Sequence, residues 1–243
     1  MMRSPIAARP STTDRSVCGA YHSAAKRGAL AHEALTKLRD DFAVLPLHQQ
    51  TIRNFFDARQ WDYDEALVAS FTGRRPHEVF AHDPGPWVGF NDDPIALLME
   101  MFTHQPLDMK PVAVAGAADL IRAARDADVL LGLVTSANQG WVDVCVGEVL
   151  GVLDHMDAVV TGDQVTHGKP APDGFLLGAE KLGLDPGDCW AFEDSPDGVR
   201  SAVAAGMGRV FGLTTTFGVE VLEDAGAHQI VPDLSGVAEA AGR

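Results

Sequence analysis

The sequence predicts an α/β protein with a doubly wound, parallel, Rossmann-like sheet and a small helical cap domain. From residue 111 onwards, short apolar runs alternate with segments of helical periodicity, which is typical of β–α–β units. Before that point, successive helical segments follow one another without an intervening strand, which indicates a helical insert. The length of 243 residues is sufficient for one α/β domain and a small accessory domain.

The core of this fold is predicted from strands and helices that alternate within residues 107–243. The predicted strands are 129–135, 158–161, 189–192, 209–213 and 230–231, and the predicted helices are 117–125, 139–152, 172–181, 196–205 and 219–225. The carboxyl ends of parallel strands meet at one edge of a sheet, where ligands bind in open α/β folds. We therefore expect the chemistry of the protein at this edge.

The first part of the chain divides into three predicted segments. Residues 42–45 form a short apolar run that we interpret as the first strand, so residues 42–46 join the core. Residues 47–106 contain the predicted helices and form the cap. Residues 1–41 are Arg- and Ser-rich over much of their length and are expected to be variable, and either disordered or weakly helical.

Composition argues against several classes of function. The net charge of −15 argues against a nucleic-acid binder and, more weakly, against binding to anionic membranes. The three widely spaced cysteines fit neither a disulfide framework nor a zinc site, and no apolar run has the length of a membrane span. We expect a monomeric, cytoplasmic protein that takes a small molecule, with organelle targeting by the N-terminus as the lesser alternative.

Thr135 and Ser136 lie at the end of the predicted strand 129–135, just before a predicted helix. Their hydroxyls, together with backbone N–H groups at the helix N-terminus, suit the oxygens of a phosphate group. Ordinary helix capping explains residues of this type equally well, so this segment alone leaves both interpretations open.

Lys169 lies in the hexapeptide Gly-Lys-Pro-Ala-Pro-Asp at residues 168–173. Pro170 and Pro172 restrict the backbone and favour a fixed direction for the ammonium group. A solvated lysine before a helix is the alternative. Within this hexapeptide we favour a catalytic and phosphate-binding role for Lys169.

Glu193 and Asp194 end the apolar strand 189–192. Two carboxylates at one strand end repel each other unless a cation compensates them. Mg²⁺ prefers carboxylate oxygens, so the pair predicts a metal site.

These residues together resemble the haloacid dehalogenase (HAD) superfamily, in its β-phosphoglucomutase-like branch with a helical cap. The likeness rests on Thr135, on residues 168–173, on Glu-Asp-Ser-Pro-Asp-Gly-Val at residues 193–199 and on Ala-Ala-Gly-Met at residues 204–207. The resemblance implies a Mg²⁺-dependent hydrolase that acts on a small phosphorylated metabolite. It also implies that Thr135 binds phosphate, that Lys169 stabilises the phosphate and the nucleophile, and that Glu193 and Asp194 hold the metal.

The chain departs from the family pattern at its first strand. In the family this strand runs into an Asp-x-Asp motif whose first aspartate is the nucleophile. Here residues 43–45 run directly into Pro-Leu-His-Gln at residues 46–49, so the motif is interpreted as deleted. Asp40 and Asp41 precede the predicted strand and are judged unable to replace it. A catalytically inactive relative, or a gene product that lost the segment, is therefore the alternative to a hydrolase, and Mg²⁺ binding is expected to be weak.

Overall fold

The computed structural model describes residues 34–36, 44–90, 92–106, 115–149, 151–235 and 237, and it confirms the predicted fold class. A six-stranded parallel sheet has the order β3-β2-β1-β4-β5-β6. The strands are β1 (Ala34–Thr36), β2 (Leu131–Val134), β3 (Ala158–Val160), β4 (Trp190–Glu193), β5 (Arg209–Leu213) and β6 (Gln229–Val231). The chain order reverses between β1 and β4, which places the ligand crevice of such sheets beside those two strands.

Helices cover both faces of this sheet. Successive residues of a strand point to opposite faces, and the sheet follows this rule: Leu133 and Phe192 pack in one apolar cluster, whereas Val134 and Ala191 pack in another. The first cluster includes α5 (Ala117–Asp126) and α6 (Gln139–Val142), which continues as a π-helix over Asp143–Val149. The second includes α7 (Asp173–Leu182), α8 (Pro196–Ala204) and α9 (Val219–Asp224).

The remaining helices enclose an aromatic core of their own. They are α1 (Val44–Ala58), α2 (Glu65–Ala69), α3 (Pro76–His82) and α4 (Pro94–Thr103). Their buried cluster is built around aromatic residues: Phe55, Phe56, Trp61, Phe71, Phe80 and Trp87. Edge-to-face contacts join many of these rings, including Phe80 and Trp87 at 5.1 Å between ring centroids. We refer to residues 44–106 as the cap and to the sheet with its flanking helices as the core.

The predicted first strand was wrong. Val44 and Leu45 begin helix α1, while the strand at the centre of the sheet is Ala34–Thr36. A short apolar run does not distinguish a strand from a helix, and Pro46 suits a first helical turn. Leu35 pairs with Gly132 on one side and Ala191 on the other. Pairing with strands that are distant in the chain therefore makes this segment a strand, whatever its local preference.

The identity of the first strand changes where two acidic residues lie along the chain relative to it. Asp40 and Asp41 come after β1 and not before it, so the prediction that they precede the first strand was also wrong. Both belong to residues 37–43, which lie outside the described residues, as does most of the predicted disordered or helical segment 1–41. The strand Ala34–Thr36 contradicts that prediction where it is described.

Candidate active site

The predicted site residues meet at the carboxyl edge of the sheet. Thr135 follows β2, Lys169 lies in the loop after β3, and Glu193 is the last residue of β4. The ammonium Nζ of Lys169 lies 2.5 Å from Oε1 of Glu193 and 3.4 Å from the carbonyl oxygen of Val134. Lys169 is only 6% exposed and Glu193 is fully buried, so the alternative of a solvated lysine was wrong.

The loop that carries Lys169 is fixed by bonds to its surroundings. The peptide bond between Lys169 and Pro170 is cis, and Ala171 donates its N–H to the carbonyl of Gly168. The hydroxyl of Ser201, on α8, donates to the carbonyl of Ala171 at 2.6 Å. The ring of Phe175 lies 5.0 Å from Nζ of Lys169, and this aromatic face adds to the attraction on the cation.

Close packing and a hydroxyl fix the two carboxylates after β4. A Cβ on Gly198 would lie 1.9 Å from Oε2 of Glu193, so only glycine leaves room for that carboxylate. Asp194 is buried, and its Oδ2 accepts a hydrogen bond of 2.6 Å from the hydroxyl of Thr216, which follows β5. Ser195 caps α8 by accepting a hydrogen bond from the N–H of Gly198 at 3.1 Å.

The loop after β2 shows helix capping, and its hydroxyl groups make hydrogen bonds within the protein. Asn138 caps α6 by accepting from the N–H of Trp141 at 3.0 Å, so capping applies there. Thr135 is buried, and its hydroxyl oxygen accepts from the N–H of Ala137 at 3.1 Å. The hydroxyl of Ser136 donates to the carbonyl of Gly73 in the cap at 2.9 Å. A phosphate bound by Ser136 would have to compete with this contact.

The described residues do not fit a complete Mg²⁺ site. Within them, no group of three or more His, Cys, Asp or Glu side chains is placed to hold a metal ion. Glu193 is paired with the ammonium of Lys169, and Asp194 accepts from Thr216. Because Mg²⁺ needs several oxygen ligands, these two carboxylates would need oxygens from elsewhere, such as a phosphate group or water.

Arg75 attaches the cap to the loop that leads to Lys169. One Nη donates to the carbonyls of Gly162 at 3.1 Å and Val165 at 3.2 Å. The other donates to the carbonyl of Thr166 at 2.9 Å and to the carboxylate of Glu78. Arg75 is 9% exposed, so this arginine is buried between the cap and the loop and is not a solvated surface residue.

Arg74 is also paired rather than solvated. Its guanidinium forms a two-pronged ion pair with Asp83, and its Nε lies 3.5 Å from Oδ2 of Asp197 on α8. The hydrogen bond from Arg74 lowers the pKa of Asp83 below its ordinary value. The two adjacent arginines therefore contact the core at two points, one on the loop before Lys169 and one on α8.

Comparison with known proteins identifies the family. The family model for haloacid dehalogenase-like hydrolases matches residues 14–206. The chain belongs to this family. The validoxylamine A 7′-phosphate phosphatase of Streptomyces hygroscopicus subsp. limoneus is 33% identical over 163 residues, which is 67% of this chain and 76% of that protein. Protein CbbY of Rhodobacter capsulatus is 35% identical over 79% of this chain and 88% of its own.

Solved structures share the HAD fold with this chain. A hydrolase from Pseudomonas syringae superposes with a TM-score of 0.74 at 18% identity and covers 86% of this chain and 96% of its own. CbbY from Rhodobacter sphaeroides, solved with xylulose-(1,5)bisphosphate, has a TM-score of 0.69 at 22% identity over 84% of this chain and 95% of its own. Within the described residues, every helix is too short or too polar to cross a lipid bilayer.

A cavity of about 370 Å³ lies between the cap and the core of this HAD-family chain. The core contributes residues of the loop after β2, which begins at Thr135, and of the loop after β3, which leads to Lys169. The cap contributes residues from α1, α3 and α4 and from the turn before α3. The wall residues are Leu47, His48, Thr51, Thr72, Arg74, Arg75, Pro76, His77, Leu98, Phe102, Gln105, Ser136, Ala137, Asn138, Trp141, Gly162, Asp163 and Val165.

Two residues of this region were missed by sequence reasoning. Thr216 follows the predicted strand 209–213, so its place at the same edge of the sheet was a usable signal. Thr72 offered no such signal, because its place in the wall depends on how the cap is oriented on the core. Local pattern does not specify contacts between segments that are distant in the chain.

Proposed function

We propose that this chain is a phosphatase that hydrolyses phosphate monoesters of small phosphorylated metabolites. The observation that carries the proposal is the buried ion pair of Lys169 and Glu193, beside Asp194, at the crevice of the sheet. A buried ammonium held by a carboxylate is ready to exchange that partner for an anionic ligand. Family membership and phosphatases among the relatives support this assignment.

Each site residue has a proposed role in binding phosphate. Thr135 and the backbone N–H groups that follow it would hold phosphate oxygens. The hydroxyl of Ser136 would also bind phosphate once its hydrogen bond to the carbonyl of Gly73 in the cap is broken. Lys169 would neutralise charge on the phosphoryl group as it transfers. Glu193 would orient the ammonium of Lys169. Mg²⁺, when bound near Glu193 and Asp194, would supply further positive charge.

The proposed phosphoryl acceptor is one of the aspartates that follow β1 in the sequence. Asp40 and Asp41 are the first carboxylates after the strand that lies between β2 and β4. A carboxylate oxygen would attack phosphorus, the ester oxygen would leave and take up a proton, and water would then cleave the acyl phosphate.

The test is release of inorganic phosphate from a panel of sugar and polyol monophosphates with Mg²⁺ present. We expect Lys169→Ala to abolish turnover, and one of Asp40→Asn and Asp41→Asn to do the same. Asp188→Asn, at an exposed position, is the matched control and should retain full activity. Turnover that survives all three site substitutions would show that another group performs the reaction.

A catalytically inactive relative that binds phosphate is the second candidate. It is favoured by the incomplete set of metal ligands among the described residues and by the missing Asp-x-Asp motif. In that case the wild type would bind inorganic phosphate through Lys169 but release none from any ester. Binding lost in Lys169→Ala, together with absence of turnover across the panel, would identify this case.

The remaining proposals concern the metal, the oligomeric state and the compartment. We expect Mg²⁺ affinity to be millimolar or weaker, on the order of the values for sites with few protein ligands. Calorimetry that gave micromolar affinity without phosphate would contradict this. We also expect a cytoplasmic monomer, which light scattering and cell fractionation would test.

A further inference from the structure

The cavity between the cap and the core contains two arginines, and both are already neutralised. Arg75 uses its four Nη hydrogens on Glu78 and on the carbonyls of Gly162, Val165 and Thr166. Since these partners fix the loop before Lys169, a ligand would have to break that attachment to recruit the guanidinium. The cavity therefore gains little usable positive charge from Arg75.

The guanidinium of Arg74 is also bonded to carboxylates of the protein. Asp83 receives both prongs of its guanidinium, and Asp197 lies 3.5 Å from its Nε. Burial, followed by the nearby charge of Arg75, lowers the pKa of His77, so the charged form of this imidazole is disfavoured. His48 and Asp163 are the other ionisable groups on the wall, and the carboxylate of Asp163 repels anions.

The rest of the wall is mainly apolar. Leu47, Leu98, Phe102, Trp141 and Val165 come from both the cap and the core. A volume of about 370 Å³ is in the range of sites that enclose small organic molecules. The wall includes Ser136 and Ala137, which directly follow Thr135. An ester whose organic group lies in this cavity would therefore have its phosphate group next to the proposed phosphate site.

Two residues of this wall have a buried polar side-chain atom that lacks a partner within the described residues: Arg75 through its Nε, and Thr72 through its hydroxyl. Thr72 is 5% exposed, and its hydroxyl has no hydrogen-bond partner among the described residues. A buried hydroxyl without a partner is costly, and such groups in native proteins need an explanation. A hydroxyl group on the ligand would satisfy it.

We infer that the cavity selects monophosphates whose organic group is uncharged, partly apolar and hydroxylated, and that it disfavours a second phosphate. This inference rests on the proposed function, because it assigns the organic half of the same ester. It makes Thr72 a specificity-determining residue. The cavity would disfavour bisphosphates because Arg74 and Arg75 are already paired with carboxylates of the protein.

Binding of matched probes, measured by calorimetry with Mg²⁺ present, tests the inference without requiring turnover. The probes are inorganic phosphate, cyclohexyl phosphate, myo-inositol 1-phosphate and myo-inositol 1,4-bisphosphate. We expect both monoesters to bind at least about tenfold more tightly than inorganic phosphate, because the ring enters an apolar cavity. The bisphosphate should bind no more tightly than the monophosphate. A bisphosphate that binds more tightly overturns the inference.

Variants at Thr72 test the role of its hydroxyl. Thr72→Val should weaken inositol phosphate about tenfold, which is the size of one lost hydrogen bond, and leave cyclohexyl phosphate unchanged. Thr72→Ser should bind like the wild type. The melting temperature of ligand-free Thr72→Val should equal or exceed that of the wild type, because a buried polar group is removed. Equal weakening of all probes, or no weakening of any, contradicts a specificity role.

A charge introduced into the wall should reverse the selection. Leu98→Arg adds a guanidinium that has no assigned partner, and it should raise bisphosphate affinity about tenfold relative to the monophosphate. Leu98→Met keeps the side chain uncharged and of similar size, and it should change the affinity for neither the bisphosphate nor the monophosphate. If Leu98→Arg fails to fold, the wild-type probe series and the Thr72 pair still decide the inference.

The outcomes separate this inference from the proposed hydrolysis. If the predicted order of binding holds but no phosphate is released, then hydrolysis fails and the inference stands. If phosphate is released but bisphosphates are preferred, then the inference alone fails. If none of the probes binds, including inorganic phosphate, then both are overturned.

Discussion

The core and the cap each bury a cation where they meet, but the two cations are held in different ways. Lys169, in the core, lies 2.5 Å from the carboxylate of Glu193. Arg75, in the cap, is fixed by Glu78 and by three backbone carbonyls of the loop before Lys169. A carboxylate partner can be exchanged for another anion without unfolding anything, whereas backbone carbonyls cannot leave their loop. The comparison agrees with the proposed role of Lys169 in binding phosphate, and it indicates that Arg75 stabilises the contact between the cap and the core.

The choice of side chain agrees with this division. The ammonium of lysine is a compact charge on a flexible stem, which can follow a phosphoryl group during transfer. The planar guanidinium of arginine presents several N–H groups in fixed directions, which suits a set of carbonyls around a loop. Substitutions at these cations and at their partners test this division.

The largest effect is expected on removing Lys169. Lys169→Met leaves Glu193 buried without its cation, and this should lower the free energy of unfolding by about 3–5 kcal/mol as well as abolish turnover. The double variant Lys169→Met, Glu193→Gln should recover most of the stability but none of the activity. Urea denaturation of the set measures this, with Lys181→Met, on an exposed face, as the control. A double variant as unstable as the single one would mean that Lys169 matters through packing and not through charge.

The next effect tests the space around Glu193. Gly198→Ala places a methyl group 1.9 Å from Oε2 of Glu193 by construction, so the carboxylate must move. We expect a loss of about 1–3 kcal/mol in stability and a fall in phosphate affinity. Gly187→Ala is the matched control, because a Cβ there meets nothing within 4 Å. Unchanged phosphate affinity in Gly198→Ala would show that the position of the Glu193 carboxylate does not affect the binding of anions.

Arg75→Lys should have a smaller effect with a different signature. Lysine keeps the charge but cannot reach all of the carbonyls, so stability should fall by about 1–2 kcal/mol. Amide hydrogen exchange should accelerate over residues 162–168 while exchange within β4 stays as in the wild type. Arg53→Lys, in an exposed ion pair with Glu65, is the control for a change of the same type. Uniform acceleration across the core would instead indicate global destabilisation.

The smallest effect concerns the pH dependence of the cap contact at Arg74. Because the hydrogen bond from Arg74 lowers the pKa of Asp83, the pair stabilises the fold fully above the unfolded pKa of about 3.9. This contribution, about 1 kcal/mol, is lost as the pH falls through the lowered pKa. The difference in melting temperature between wild type and Asp83→Asn should therefore be largest near pH 6 and shrink below pH 4. A difference that grows on acidification would contradict the sign of this linkage.

The amino-acid sequence was sufficient to predict the architecture of the core and to bring several candidate site residues to one edge of the sheet. Alternating periodicities predicted the parallel sheet, and strand ends placed Thr135, Lys169 and Glu193 at one edge, because parallel strands align their carboxyl ends. Short-range chemistry was sufficient for these inferences, which rested on the prolines beside Lys169 and on the acidic pair after an apolar run.

The identity of the central strand and the contact between cap and core became clear only from the three-dimensional structure. Residues 34–36 become a strand because Leu35 pairs with Gly132 and Ala191, whereas the more apolar run at Val44 forms a helix. The carbonyl partners of Arg75 lie 87 to 91 residues away in the chain, so no local pattern contained them. Pairing and docking energies arise between distant segments and exceed the small intrinsic preferences that a sequence pattern reports.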